Sequence, residues 1–137
     1  MRFMMLVKTT ENSGPPSKSL MDAIADLAEK AKQVGAMVIT GGLAPTAAST
    51  RVRLSQGKIA AIDGPFAETK EVVRGFAIFE FNSKQEAVES ARRFMDLHKI
   101  HWPGWQGETE IRQVFGTEDY TLDSGSLQLK SGSLSKN

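Results

Sequence analysis

Two runs of the chain, residues 3–7 and 75–81, are apolar on almost every position. Successive side chains of a strand point to opposite faces of its sheet, so a strand with one wet face alternates apolar with polar residues. These two runs do not alternate. They read as central strands covered on both sides. Around them the chain must supply helices for one face and some cover for the other.

Two stretches have helical spacing. Leu20, Ile24, Leu27, Ala28, Ala31 and Val34 recur every three to four residues, leaving Asp26, Glu29, Lys30 and Lys32 outward. Ser17 or Ser19 can cap this helix, Ser19 with Asp22 forming a capping-box pattern, and Gly35 ends it. Ser83 with Glu86 opens a second helix, whose buried side runs through Ala87, Val88, Ala91, Phe94, Met95 and His98 until Pro103-Gly104 stops it. Residues 36–40 and 108–115 read as further strands. Residues 51–54 and 58–62 read as a hairpin about Gln56-Gly57, with Arg51 and Arg53 on one face and Val52 and Leu54 on the other.

The expected fold class is therefore α+β: a ferredoxin-like βαββαβ order with an inserted β-hairpin. Two helices cover only one face of such a sheet. The strands around Met4, Leu6, Ala77, Phe79 and Phe81 predict a second apolar face, and its simplest cover is the same face of a two-fold-related copy, a homodimer. The domain is expected over residues 1–116. Residues 117–137 form a polar, small-residue C-terminal tail, expected to be flexible, with Leu122, Leu127 and Leu129 as its anchors.

At 137 residues the chain fits one domain. Charged residues at 24% and a net charge of +1 argue against binding nucleic acid or a membrane surface by bulk charge. No cysteine is present, which removes thiolate chemistry, disulfides and Cys-ligated metals. The apolar run after Arg2 is too short for a signal-peptide core, and no stretch approaches the roughly 20 apolar residues of a membrane span, so the expected location is cytoplasmic.

Between the hairpin and the second apolar strand lies Asp63-Gly64-Pro65-Phe66-Ala67-Glu68-Thr69-Lys70-Glu71. Asp-Gly-Pro breaks any regular strand, because glycine accepts angles that other residues avoid and proline fixes φ without an amide proton. The loop also concentrates chemistry: Asp63, Glu68 and Glu71 as acids or bases, Lys70 as a cation, Phe66 as an aromatic plug. A turn whose charges are simply solvated accounts for the same residues.

This run, with the opening strand of residues 2–8 and the later His98-Lys99-Ile100-His101-Trp102-Pro103-Gly104-Trp105, resembles the DGPF branch of the YCII-related proteins. The likeness covers residues 1–116. It implies a bacterial ferredoxin-like domain that pairs into a dimeric α+β barrel, often encoded beside extracytoplasmic-function sigma factors. YCII-like proteins are proposed to use a His and Asp pair, with the histidine at the start of the first helix. Residues 17–20 contain none. Asp63 matches the family loop; its pairing with His98 or His101 is read from this chain's own residues and is not implied by the resemblance.

Those are the chain's only histidines. An imidazole titrates near neutrality, and a carboxylate that holds its tautomer makes it a general acid or base. An H-x-x-H pair supplies two metal ligands at most, so no metal is expected. Trp102, Trp105 and Phe66 can stack on a planar or apolar ligand, and Arg51, Arg53, Lys70 and Arg74 can meet an anionic one. No phosphate-binding glycine loop, dinucleotide fingerprint, zinc-protease motif or serine-hydrolase elbow occurs, and no cofactor is expected.

Two readings of function follow. The first is a cofactor-independent acid–base enzyme on a small anionic or enolisable metabolite, with Asp63 as base and His98 or His101 as acid or orienting group. Phe66, Glu68, Lys70, Arg51 and Trp102 would line its site. The second is a non-catalytic ligand-binding or regulatory module, partner to an extracytoplasmic-function sigma factor.

Overall fold

The computed structural model describes residues 1–66, 70–123 and 125–134. Among them the elements run β1 (Arg2–Thr9), α1 (Lys18–Gln33), β2 (Met37–Gly42), β3 (Thr50–Ser55), β4 (Lys58–Asp63), β5 (Val72–Glu80), α2 (Lys84–His101), β6 (Glu108–Val114), β7 (Tyr120–Asp123) and β8 (Ser126–Leu129). Short 3-10 turns lie at Glu11–Ser13, Thr46–Ala48 and Thr117–Asp119. Four strands form an antiparallel sheet in the order β2-β5-β1-β6. The two doubly apolar runs, β1 and β5, take its two inner positions, as their lack of alternation requires. With α1 and α2 the order fits a ferredoxin-like α+β fold.

Register decides which face is which. Phe3 pairs with Phe79 and Met5 with Ala77, and these side chains form the core with Ala87 and Ala91 of α2. Ala31, Met37, Phe81 and Ile111 pack around it. The expectation that Ala77, Phe79 and Phe81 share a face with Met4 and Leu6 is corrected here. Met4 pairs with Ile78 and Leu6 with Phe76, and these four make the opposite face. Ion pairs Arg2–Glu80 and Lys8–Glu110 edge it.

Two bulges interrupt the sheet. Val7 pairs with Gly75 but Lys8 with Val73, which leaves Arg74 as an extra residue. On β2, Met37 pairs with Phe79 and Ile39 with Ile78, leaving Val38 extra. A bulge re-aims the side chain it releases.

Ser17 caps α1, its Oγ accepting from Leu20 N at 3.2 Å, whereas Asp22 pairs with Lys18 at 2.8 Å. Ser17, not Ser19, is therefore the cap. Ser83 Oγ accepts from Glu86 N at 3.2 Å, and the Glu86 carboxylate accepts from Asn82 N at 2.9 Å, one residue outside the reciprocal box. β3 and β4 form a separate two-stranded ribbon. Its turn has φ of 51° at Gln56 and 76° at Gly57, the left-handed pair of a tight hairpin. Val52, Leu54 and Ile59 on one of its faces are 72%, 70% and 75% exposed. Within the stretch read as a polar tail, β7 and β8 also pair, Phe115 packs edge-on to Tyr120, and Gln113 Nε2 donates to Ser133 O.

Candidate functional site

The helical layer does not fill the space above the sheet. Leu20 is the one fully buried residue of α1, and the rest of its apolar stripe is half-buried or open. Opposite it the sheet and its approaches carry Ala36, Gly41, Gly42, Gly75 and Ala77, which have almost no side-chain volume. A cavity of about 930 Å³ remains between α1, α2 and the sheet. Its size lies in the range of small-molecule sites, and its wall is mainly apolar.

One region of that wall is polar and aromatic. His98, Trp102, Trp105, Thr9 and Arg74 all line the cavity. His98 is 6% exposed, held between Phe94 at 4.7 Å and Trp105 at 4.5 Å between ring centroids. Its Nδ1 lies 3.0 Å from the Phe94 carbonyl oxygen. A carbonyl can only accept, so Nδ1 carries the proton and Nε2 keeps the lone pair of a neutral ring. Burial pushes the His98 pKa below its ordinary value, with the Phe94 hydrogen bond opposing in part. The ring is neutral at pH 7.

The end of α2 is fastened on both sides. Trp102 N donates to His98 O at 2.8 Å, and Trp102 lies 5.9 Å from Trp105. Ser17 Oγ, at the start of α1, donates to His101 O at 2.9 Å. Thr9 Oγ1, at the end of β1, donates to Gln106 O at 2.7 Å and so holds the segment bearing Trp105. A Cβ on Gly107 would sit 2.4 Å from the Trp105 ring and 2.6 Å from Lys8 O, so only glycine lets the indole close on the strand.

The Asp63 loop does different work. Gly64 is not in the left-handed region; instead a Cβ there would lie 1.7 Å from Thr46 O, and Gly64 N donates to Ser49 O at 2.8 Å. The glycine is required by close approach rather than by dihedral freedom. Phe66 is buried, its N donating to Thr46 Oγ1 at 3.4 Å, and the Arg51 guanidinium stands 3.7 Å from its ring centroid. Glu11 completes the joint, its carboxylate accepting from Thr46 N and Thr46 Oγ1, both at 2.6 Å. Those bonds hold the Glu11 pKa below the usual carboxylate range. The joint fixes the base of the β3–β4 ribbon to the end of β1.

The residues singled out in the sequence do not share one site. His98 and Trp102 line the cavity, together with Arg74 and Trp105. Asp63 is exposed at the end of β4, its Oδ1 accepting from Thr50 Oγ1 at 2.7 Å, and it does not line the cavity. Arg51 and Phe66 belong to the joint, and Lys70 is exposed. His101 is half-buried at the last position of α2 and does not line the cavity. Glu68 lies outside the described residues. Thr9 and Glu11 carry no motif, and only the folded chain reveals their roles. Among the described residues no group of three His, Cys, Asp or Glu side chains is placed to hold a metal ion, and no helix is long and apolar enough to cross a membrane.

A family model of the YCII-related domain matches residues 1–95. An uncharacterized protein of Rhizobium meliloti (strain 1021) is 33% identical over 84 residues, which cover 61% of this chain and 68% of that protein. The family match takes in β1 through β5 and most of α2, and it ends before His98.

Proposed function

The chain belongs to the YCII-related family, and from that premise we propose that it is a cofactor-independent acid–base enzyme acting on a small anionic or enolisable metabolite in the cavity beneath α1. One observation carries the reading: a buried histidine with a fixed tautomer lines a cavity of substrate size. Phe94 O holds the proton on Nδ1, so Nε2 is the atom that accepts one from the substrate. The ring enters the reaction neutral because burial disfavours its charged form. The same burial makes the imidazolium prone to return the proton, which suits reversible transfer between neighbouring atoms of an enolisable group. Phe94 and Trp105 hold the ring in place and keep water from it. Asp63, outside the cavity, supports the ribbon through Thr50 in this reading.

The test is proton exchange. The protein is incubated in deuterium oxide with a panel of 2-oxo and 3-oxo carboxylates, and loss of the proton signal beside the carbonyl is followed by NMR. His98→Phe fits between the same two rings and should abolish exchange. Exchange at the wild-type rate in that variant rules the assignment out.

A second reading has its own support. The apolar face of the β3–β4 ribbon is open, and a protein partner would cover it. An extracytoplasmic-function sigma factor is the partner class that the family resemblance implies. Co-expression with such a factor, repeated with Leu54→Lys and Ile59→Lys, separates this reading from the first: retention by wild type and loss in the variants supports it, and no retention by wild type ends it.

A further inference from the structure

Among the described residues, the full charges on the cavity wall have one sign. Lys30, Arg74 and Arg93 line it, and no Asp or Glu among the described residues does. Lys30 pairs with Asp26 at 3.0 Å along the outer side of α1, and Arg93 is exposed. Arg74 differs from both. It is half-buried at the bulge of β5. Its Nη1 meets the carbonyls of Thr10 and Glu11 only at 3.4 and 3.5 Å, at the outer limit of hydrogen bonding. The carboxylate beside it, Glu11, already accepts two short bonds from Thr46. Among the described residues no carboxylate lies within ion-pair distance of Arg74. A guanidinium in that position keeps donors available in the planar fork that matches a carboxylate.

We propose that the cavity takes an amphipathic monocarboxylate, with the carboxylate on Arg74 and an apolar chain or ring against Leu20, Ile24 and Leu27. This rests on the reading of the cavity as the working site and names its substrate class. Arg74 is on β5 next to β1, and its Nη1 reaches the carbonyls of Thr10 and Glu11 just past the end of β1, while Thr9 at that end holds Gln106 beside Trp105, which packs on His98. Arg74, His98 and both tryptophans line the same cavity, so a carboxylate held by Arg74 shares that space with the histidine.

The chain's two tryptophans, Trp102 and Trp105, both line the cavity, so intrinsic fluorescence reports its occupancy. The whole protein is titrated with decanoate, with decanol and with decyltrimethylammonium. Decanoate should give a saturable change, decanol should bind at least about tenfold more weakly, and the cation should give none. Arg74→Gln should lose about tenfold for decanoate and nothing for decanol, while Lys30→Gln changes neither. Decanol binding as tightly as decanoate, or a folded Arg74→Gln protein binding decanoate normally, overturns the carboxylate assignment and leaves the cavity reading standing. If Arg74→Gln does not fold, Arg74→Lys serves: it keeps the charge without the fork, and undiminished decanoate binding by it also counts against the proposal. No fluorescence response to any of the probes overturns the cavity reading as well. Decanoate binding that survives in a His98→Phe protein that also exchanges protons normally sinks the catalytic reading alone.

Discussion

His98 and Trp105 lie ring to ring, 4.5 Å between centroids and tilted by 39°, with the histidine's Nδ1 tied to Phe94 O one turn back along α2. An imidazole so enclosed cannot take up a proton without leaving a charge in an apolar wall. Its folded pKa lies below the ordinary 6.5. The unfolded chain therefore binds more protons than the folded one between these two values. Stability should be fully present above about pH 6.5 and should fall as pH drops through that window, by at most about 1.4 kcal/mol per pH unit. Melting temperature measured against pH for wild type and His98→Phe checks this. The variant should lack the fall in that range, and identical slopes would assign it to another group.

Acid should loosen the joint beneath the ribbon in a lower window. The Glu11 pKa is lowered by its bonds to Thr46, that of Glu80 by Arg2, and that of Glu110 by Lys8. Depressed carboxylates stabilise above their unfolded pKa values, and that contribution disappears as pH falls through the folded ones. Glu11→Gln should flatten the acid limb of the stability profile. A limb of unchanged steepness would show that Glu11 takes no part in it.

Gly64→Ala tests why the loop needs its glycine. The added Cβ would meet the Thr46 carbonyl at 1.7 Å, and backbone on both sides must move to admit it. A loss of about 2–3 kcal/mol in urea unfolding is expected. Gly104→Ala, with open space around it but a φ of 86°, should cost about 1–2 kcal/mol through backbone strain alone. Equal, small losses at both positions would contradict the close-approach explanation.

Ser17 joins the start of α1 to the end of α2, accepting from Leu20 N and donating to His101 O. Ser17→Ala removes a cap and an interhelical tie, and about 1–2 kcal/mol of stability should go with them. Ser19→Ala, at the alternative capping position, should change stability by less than about 0.5 kcal/mol, as surface substitutions do. The two denaturation midpoints decide it.

Met4, Leu6, Phe76 and Ile78 give the sheet an apolar face without helices. The homodimer proposed from that face predicts a light-scattering mass about twice the 14.9 kDa of one chain. Ile78→Asp, at the middle of the face, should halve it. A wild-type monomer at micromolar concentration would remove the proposal.

Much of the fold was legible along the chain because its causes are local. Apolar parity named β1 and β5 as inner strands, helical spacing marked α1 and α2, and Ser83, Gln56 and Gly57 announced a cap and a turn that depend on neighbours a few residues away. The candidate site was legible only in part. His98, Trp102, Trp105 and Arg74 drew notice as residue types, yet nothing in their spacing says that they line one wall while Asp63 does not.

That division is physical. Composition and periodicity determine what each segment forms and which of its sides avoids water, because those preferences act over one or two turns. Whether Ala77 and Phe79 face the helices or turn away beside Met4 depends on strand register, which shifts every side chain to the other face with a slip of one residue. The placing of Arg74 at the cavity depends on a bulge, and the cavity exists because alanines and glycines from separate strands meet beneath α1. Contacts between residues distant in sequence exist only after the chain has closed, and the tertiary structure alone decided them.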